Sequence, residues 1–342
     1  MNRMIQQAIL SVESQSQKEW QKELKHSFTR LSDLLAYLNL DPELAQGNDD
    51  ARQLFAMRAP KPYVDLMEKG NPNDPLLLQV MPHQQEFVQT PGYVADPLEE
   101  HQAELPGLLH KYKSRVLIMF KTGCAVNCRY CFRRHFPYED NAVNKQQLKQ
   151  HLDYIANHPE INEVILSGGD PLMAKDSHLQ WFINELEAIN HVTRLRIHSR
   201  LPVVIPSRIT PELCELLKQT RLNTVMVYHI NHSREISARL RQVTAELKQS
   251  GVTVLNQAVL LKGINDNLEQ QVALHEVSFD AGILPYYLHV FDKVQGAAHF
   301  DLGDETVKAL YQDMLKALPG FLVPKLVREI GGEASKTPIH PF

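Results

Sequence analysis

Residues Thr122 to Phe136 read TGCAVNCRYCFRRHF and hold three of the chain's four cysteines, Cys124, Cys128 and Cys131, in the spacing C-x3-C-x2-C. Three thiols this close together are too dense for inert core cysteines, and an odd number cannot close a disulfide framework. The run just before them, RVLIMF (115–120), is short and apolar, as a buried strand is. A cysteine cluster directly past a strand end is a loop suited to chemistry, so the other strands decide what stands around it.

Five more such runs follow: EVILSGG (163–169), RLRIHSR (194–200), TVMVYHI (224–230), TVLNQAVLL (253–261) and LPYYLHV (284–290). Helical spacing fills most of the intervals, as in NKQQLKQHLDYIANH, DSHLQWFINELEAI and TPELCELLKQT. Alternating strands and helices imply parallel strands joined by right-handed crossovers. Six units predict an α/β fold, a partial β/α barrel two units short of the full eight. A doubly wound open sheet is the alternative. In a barrel the loops after the strand C-termini carry the site. The unusual residues fall there: the cysteines, SGGD (167–170), HSR (198–200), YHINH (228–232) and DKVQGAAHF (292–300).

Upstream, residues 1 to about 57 read as helical, most clearly EWQKELKHSFTRLSDLLAYLNL, with a helix restarting at Asp41-Pro42. Between Arg58 and Pro106 lie eight of the twenty prolines, which predicts irregular chain. Its apolar residues, with Phe55, Tyr63, Leu76 to Leu78, Val80 and Phe87, predict a collar wrapped on a core. The chain thus divides into an N-terminal helical segment and collar, 1–107, and a partial barrel with its C-terminal segment, 108–342. Hydrophobic content of 43% and charge of 22% are those of a soluble globular protein. A net charge of −4 leaves no electrostatic footprint for nucleic acid. The polar N-terminus has no signal-peptide core, and no apolar run spans a bilayer, so a cytoplasmic location and no membrane partner are expected.

Cys124, Cys128, Cys131 and His135 could form a Cys3His zinc site in a non-enzymatic binding module. Alternatively the thiolates hold an iron–sulfur cluster, which normally takes four, so three leave one iron open. Cys214, on a helical face, reads as a small packed hydrophobe. The motif, with Tyr130 before its last cysteine, resembles the radical S-adenosylmethionine family, whose fold is a partial β/α barrel. That resemblance implies a [4Fe–4S] cluster whose open iron binds S-adenosyl-L-methionine and whose reduction yields a 5′-deoxyadenosyl radical. LSGGDPL (166–172) looks like the family's glycine-rich segment, placing Ser167, Gly168, Gly169 and Asp170 at that cofactor.

From about Leu108 to Pro338 the chain is similar to lysine 2,3-aminomutases, in CAVNCRYCFRRHF, LSGGDPLM, RIHSRLPVVIPSRITPEL, LNQAVLLKGIND, LPYYLHVFDKVQGAAHF and VREIGGEASKTP. This resemblance adds pyridoxal 5′-phosphate and implies conversion of L-lysine to β-lysine by a radical 1,2-amino migration. Lys336 falls on the lysine that carries the pyridoxal phosphate, a lysine amine being the nucleophile required. Lys111 and Arg115 fall at its phosphate, with lysine at 111 where arginine is usual. Arg133 falls on the substrate-carboxylate arginine, and Asp292 and Glu329 on the acids that hold the distal ammonium. Glu329 replaces the usual aspartate, one methylene longer. Ser199, His229 and Gln257 fall in segments that contact the sulfonium cofactor. His135 and His299 carry no role.

The chain stops six residues after Lys336, without the cysteine-bearing tail of longer aminomutases. This end and LFAMRAPKPYVDLMEKGNPNDPLL resemble the isomerase branch that supplies (R)-β-lysine for modification of translation elongation factor P by a separate ligase. The implied partners are free L-lysine, a flavodoxin-like or ferredoxin-like electron donor, and, through the pathway, the factor and its ligase. A catabolic or osmolyte-forming lysine aminomutase is the alternative.

Overall fold

The computed structural model describes residues 19–100, 105–137 and 143–341. Nine strands form one sheet in sequence order: β1 (Leu108–Tyr112), β2 (Arg115–Lys121), β3 (Glu163–Gly168), β4 (Arg194–Ser199), β5 (Asn223–His229), β6 (Thr253–Val259), β7 (Leu284–His289), β8 (Lys325–Arg328) and β9 (Thr337–Pro338). Strands β2 to β8 are parallel, while β1 and β9 pair antiparallel at the two ends. The six apolar runs are β2 to β7, and each is followed by a helix: Lys145–Ala156, Asp176–Glu187, Pro211–Gln219, Ala238–Gln249, Leu268–Asp280 and Asp304–Ala317. The partial barrel therefore has its six β/α units, and β8 adds a seventh parallel strand with no helix after it.

Local chemistry sets these elements. Asn144 accepts from Gln146 N and Gln147 N, and Gln147 returns the bond, which starts the first helix with a capping box. That helix then buries Leu148, His151, Leu152 and Ile155, one stripe at helical spacing. Thr210, Ser237 and Asn267 cap later helices with a single side-chain bond each, accepting from Leu213 N, Leu240 N and Gln270 N. Cys214 is buried beside Leu213 and Leu217 on its helix. Among the described residues no helix is long and apolar enough to cross a membrane.

The N-terminal reading changes in detail, and residues 1–18 lie outside the described part. The clearest helical stretch splits in two, at 19–25 and Leu31–Tyr37, because Phe28 leaves the helix to exchange backbone bonds with Ala59 at 2.8 and 2.9 Å. Asp41 does cap, accepting from Glu43 N at 2.9 Å, but it starts only a single 3-10 turn, Pro42–Ala45. Residues 58–100 and 105–106 are largely irregular with short helical turns, and Tyr63, Leu76, Leu77 and Val80 are fully buried. Phe87 departs from expectation, lying 49% exposed at the end of a turn. Trp20, Leu31, Tyr63 and Leu76 share one hydrophobic cluster with Val116, Leu166 and Ile197 of the sheet.

A buried ionic knot locks the collar to the cysteine loop. Arg129, with no exposed surface, donates to Glu86 Oε1 and Oε2 at 2.9 and 2.5 Å, and to the carbonyls of Phe55, Ala56 and Ala51. Arg134 donates to the same Glu86 Oε2 at 2.5 Å and to Gly296 O, past β7, at 2.8 Å. Removing one partner of a buried pair leaves an uncompensated charge. Glu86→Ala is accordingly expected to lower the unfolding free energy by about 3–5 kcal/mol. A urea denaturation midpoint equal to that of the unaltered protein would contradict the role given to the knot.

Candidate functional site

One cavity of about 730 Å³ opens at the C-terminal ends of the strands. On β4 its wall follows the two-residue period of a strand. Ile165 and Ser167 line it from β3, Arg196, His198 and Arg200 from β4 and its end, and Tyr286, Tyr287 and His289 from β7, with Phe291 past its end. The cavity brings together Cys124, Cys128, Cys131, Arg133, Ser167, Gly168, Gly169, Asp170, His229, Gln257, Asp292, Glu329, Lys336, Lys111 and Arg115. Of the sequence-derived site residues, Ser199 alone is missing from the lining. It is buried on the opposite face of β4, where its hydroxyl donates to Asp170 Oδ1 at 2.7 Å. The alternation His198-in, Ser199-out was available from the strand pattern and would have chosen His198 instead.

Asp170 reaches the cavity wall, but its carboxylate is committed to the chain. It accepts from Leu172 N, Ser199 Oγ, Arg200 N and Leu201 N at 2.7–3.0 Å. It therefore straps the end of β3 to that of β4. The glycines before it serve a close approach of backbone to backbone. A Cβ on Gly168, whose φ is +107°, would stand 2.6 Å from Lys121 O, and one on Gly169 would stand 2.7 Å from Gly123 O. The SGG turn thus presses on the first residues of the cysteine loop.

The three thiols are neighbours at one end of the cavity. Burial, and then nearby charges that include the other cysteines, pushes the Cys124 thiol well above its usual range; burial and Cys128 push Cys131 up to about 11. Arg200 Nη1 donates to Cys128 Sγ at 2.8 Å. A guanidinium on sulfur suits a thiolate, the form that binds metal. Among the described residues no three His, Cys, Asp or Glu side chains converge closely enough to hold a single metal ion. A cubane instead takes one thiolate at each corner iron, and three neighbouring thiols on a cavity wall fit that demand. His135, the fourth ligand of the zinc reading, donates from Nε2 to Gln295 O at 3.0 Å. His299 packs on Phe300, its pKa pressed by burial to about 4.

The charged groups form two poles. Arg133 makes a two-pronged bond to Glu100, Nε to Oε2 at 2.6 Å and Nη2 to Oε1 at 2.7 Å, and its Nη1 reaches Ser167 Oγ at 3.3 Å. At the other pole Lys336 Nζ donates to Glu329 Oε2, and Lys111 Nζ lies 3.8 Å from Glu329 Oε1. Tyr112 accepts from Lys336 N at 3.2 Å and carries the Arg115 guanidinium on its ring at 3.6 Å. Lys336 Nζ is 5.7 Å from the Tyr287 ring centre. A lysine amine beside cations and aromatic faces fits a phosphorylated pyridine aldehyde.

Asp292 is half-buried, and its Oδ1, shielded from solvent, has no hydrogen-bond partner. Burial first, then the adjacent Glu329, raises its pKa to about 7. Between the poles three histidines are held neutral. Burial, aided by Arg196 and His229, pushes His198 well down; burial, with Arg200 and Arg133, presses His229 to about 3; burial and Lys336 push His289 well down. Neutral His229 accepts from Gln257 Nε2 at 2.9 Å, whereas Nε2 of His198 and of His289 are unpartnered.

The radical SAM superfamily model matches residues 118–273. The chain is 53% identical over 333 residues to an L-lysine 2,3-aminomutase of Escherichia coli, covering 97% of each. It is 54% identical to one of Haemophilus influenzae over 322 residues, 94% of this chain and 95% of that one. It is 33% identical to one of Clostridium subterminale over 328 residues, 94% of this chain and 78% of that one.

The raised pKa of Asp292 has a signed consequence. Between about pH 4, where an ordinary carboxyl ionises, and about pH 7 the folded chain keeps a proton that the unfolded chain has lost. Stability from this group therefore falls as pH rises through that window. Urea titrations of Asp292→Asn should show the variant gaining on the unaltered protein from pH 4 to pH 7, and a pH-independent difference would refute the shift.

Proposed function

Because the chain belongs to the L-lysine 2,3-aminomutase family of radical S-adenosylmethionine enzymes, we propose that it converts L-lysine to (R)-β-lysine, used to modify translation elongation factor P. The observation that carries the activity is the unpartnered, buried carboxylate oxygen of Asp292 beside Glu329, in the same cavity as Arg133. An uncompensated buried acid calls for a cation, and a guanidinium fork calls for a carboxylate. Lysine carries both, an α-carboxylate and a distal ammonium.

In this reading Cys124, Cys128 and Cys131 hold the [4Fe–4S] cluster. Ser167, Gly168, Gly169, His229 and Gln257 form the wall toward S-adenosylmethionine. Lys336 carries pyridoxal phosphate, with Lys111 and Arg115 toward its phosphate. When bound, these groups supply hydrogen abstraction by a carbon radical and a ring over which an unpaired electron spreads. The protein's own part is placement and proton handling. Lys336 must shed a proton to act as a nucleophile, and Glu329 is the carboxylate in contact with it. With Lys336 engaged, Glu329 and Asp292 turn to the substrate ammonium, and binding it ionises Asp292. Arg133 orients the α-carbon end. The neutral histidines between the poles place no charge that would compete with these partners. A flavodoxin-like or ferredoxin-like protein supplies the electron.

The link to elongation factor P rests on the branch resemblance read in LFAMRAPKPYVDLMEKGNPNDPLL and in the segment around Lys336. Anaerobic incubation with lysine, pyridoxal phosphate, S-adenosylmethionine and reductant should give (R)-β-lysine by chiral chromatography. Lys336→Ala should give none, and full turnover there would remove the pyridoxal assignment. Asp292→Asn should raise KM for lysine roughly 10- to 150-fold, the worth of one charged hydrogen bond, about 1.5–3 kcal/mol. Deleting the gene should lower the mass of elongation factor P by the β-lysyl group. An unchanged mass would favour the catabolic alternative.

A further inference from the structure

Arg200 follows β4 and is 5% exposed. Its Nη1 donates to Cys128 Sγ at 2.8 Å and to the Tyr130 hydroxyl. Its Nη2 donates to Gln79 Oε1 at 2.8 Å, Glu235 Oε2 at 3.0 Å and Tyr63 Oη at 3.2 Å. The partners are themselves fixed. Glu235 has no exposed surface and takes Gln79 Nε2, Asn231 N and His232 N on its other oxygen, each at 3.1 Å. Asn231 Nδ2 bonds Tyr130 Oη at 2.7 Å. Asp170 Oδ2 accepts from Arg200 N at 2.9 Å, tying the backbone as well.

Both Nη atoms are matched, Nε is left without a partner, and burying a guanidinium costs its hydration. Packing alone does not require it, because an apolar residue of that size would fill the space. What only a cation provides is a fixed positive N–H aimed at sulfur. We propose that Arg200 sets the reduction potential of the cluster, holding it higher than the three cysteines alone would. This rests on the reading of Cys128 as a cluster ligand. The added electron makes the cluster more negative. A neighbouring guanidinium stabilises that state over the oxidised one, and hydrogen bonds to the sulfurs act in the same direction. Glu235 offsets part of the charge but sits on the other nitrogen, so the bond to sulfur is kept.

The test is done on anaerobically reconstituted protein whose iron and sulfide have been counted, without substrate. Pulsed EPR of the reduced, unaltered protein grown with 15N-arginine should show a coupling to a guanidinium nitrogen. In a dye-mediated redox titration, Arg200→Gln should move the midpoint to more negative potential by at least a tenfold change in the reduction equilibrium, 59 mV for one electron. Arg200→Lys, which keeps the charge and loses the fork, should fall between. A loaded, unaltered protein with no arginine-nitrogen coupling would overturn the proposal, as would a fully loaded Arg200→Gln at the original midpoint. If Arg200→Gln takes up no cluster, the labelled protein and Arg200→Lys decide by the same criteria. Unaltered protein that takes up no iron and sulfide would overturn the cysteine reading, and this inference with it.

Discussion

Glu86 is one buried carboxylate shared by two buried guanidiniums, and the mouth of the barrel is organised around it. The remaining donors of Arg129 take collar carbonyls, and Nη1 of Arg134 bonds both Arg129 O and Gly296 O in the loop after β7. Such a knot adds little net stability, because forming it strips water from all three groups. Its effect is positional. With residues 129 and 134 pinned, the residues between them have little choice of direction. Tyr130, Cys131, Phe132 and Arg133 all face the cavity. The collar, irregular by composition, is thereby part of the site's scaffold.

The cavity itself is a product of strand alternation closed over by loops. Two ion pairs stand at its poles, Arg133 with Glu100 and Lys336 with Glu329, and between them the imidazoles of His198, His229 and His289 are neutral. Burial and surrounding cations keep those rings uncharged. A low-dielectric middle strengthens every charge interaction at the ends, so orientation of a bound molecule is decided at its two termini.

How much of this was legible depended on the range of the interaction. β2 to β7 are continuous apolar runs, and their order and the loops after them followed from the sequence. β8 escaped because four residues, Lys325–Arg328, are too short to give a pattern, although Glu329 follows directly. β1 escaped because LLHKY is half polar, as an edge strand is. Ser199 lies outside the cavity lining because a strand end alternates its residues between two faces, and a block such as HSR does not say which of them points inward. Asp170 looked like a ligand group and is a strap between strand ends, a role fixed by partners some thirty residues away. Arg200, Glu86 and Glu235 are ordinary charges in sequence; only folding shows that each is buried. Lys336 could be singled out by resemblance alone, since a lysine near a C-terminus is ordinarily solvated.

The Arg133–Glu100 pair has one more implication. Glu100 holds the Nε–Nη2 edge of the guanidinium, and Nη1 is turned to Ser167 Oγ at 3.3 Å and Gly168 O at 3.4 Å. A carboxylate that takes the Nε–Nη2 edge must evict Glu100, and what is measured as affinity there is the difference between two ion pairs. Entry becomes an exchange of partners. The stretch of chain carrying Glu100 competes with every acid at that pole, at an effective concentration set by its own tether.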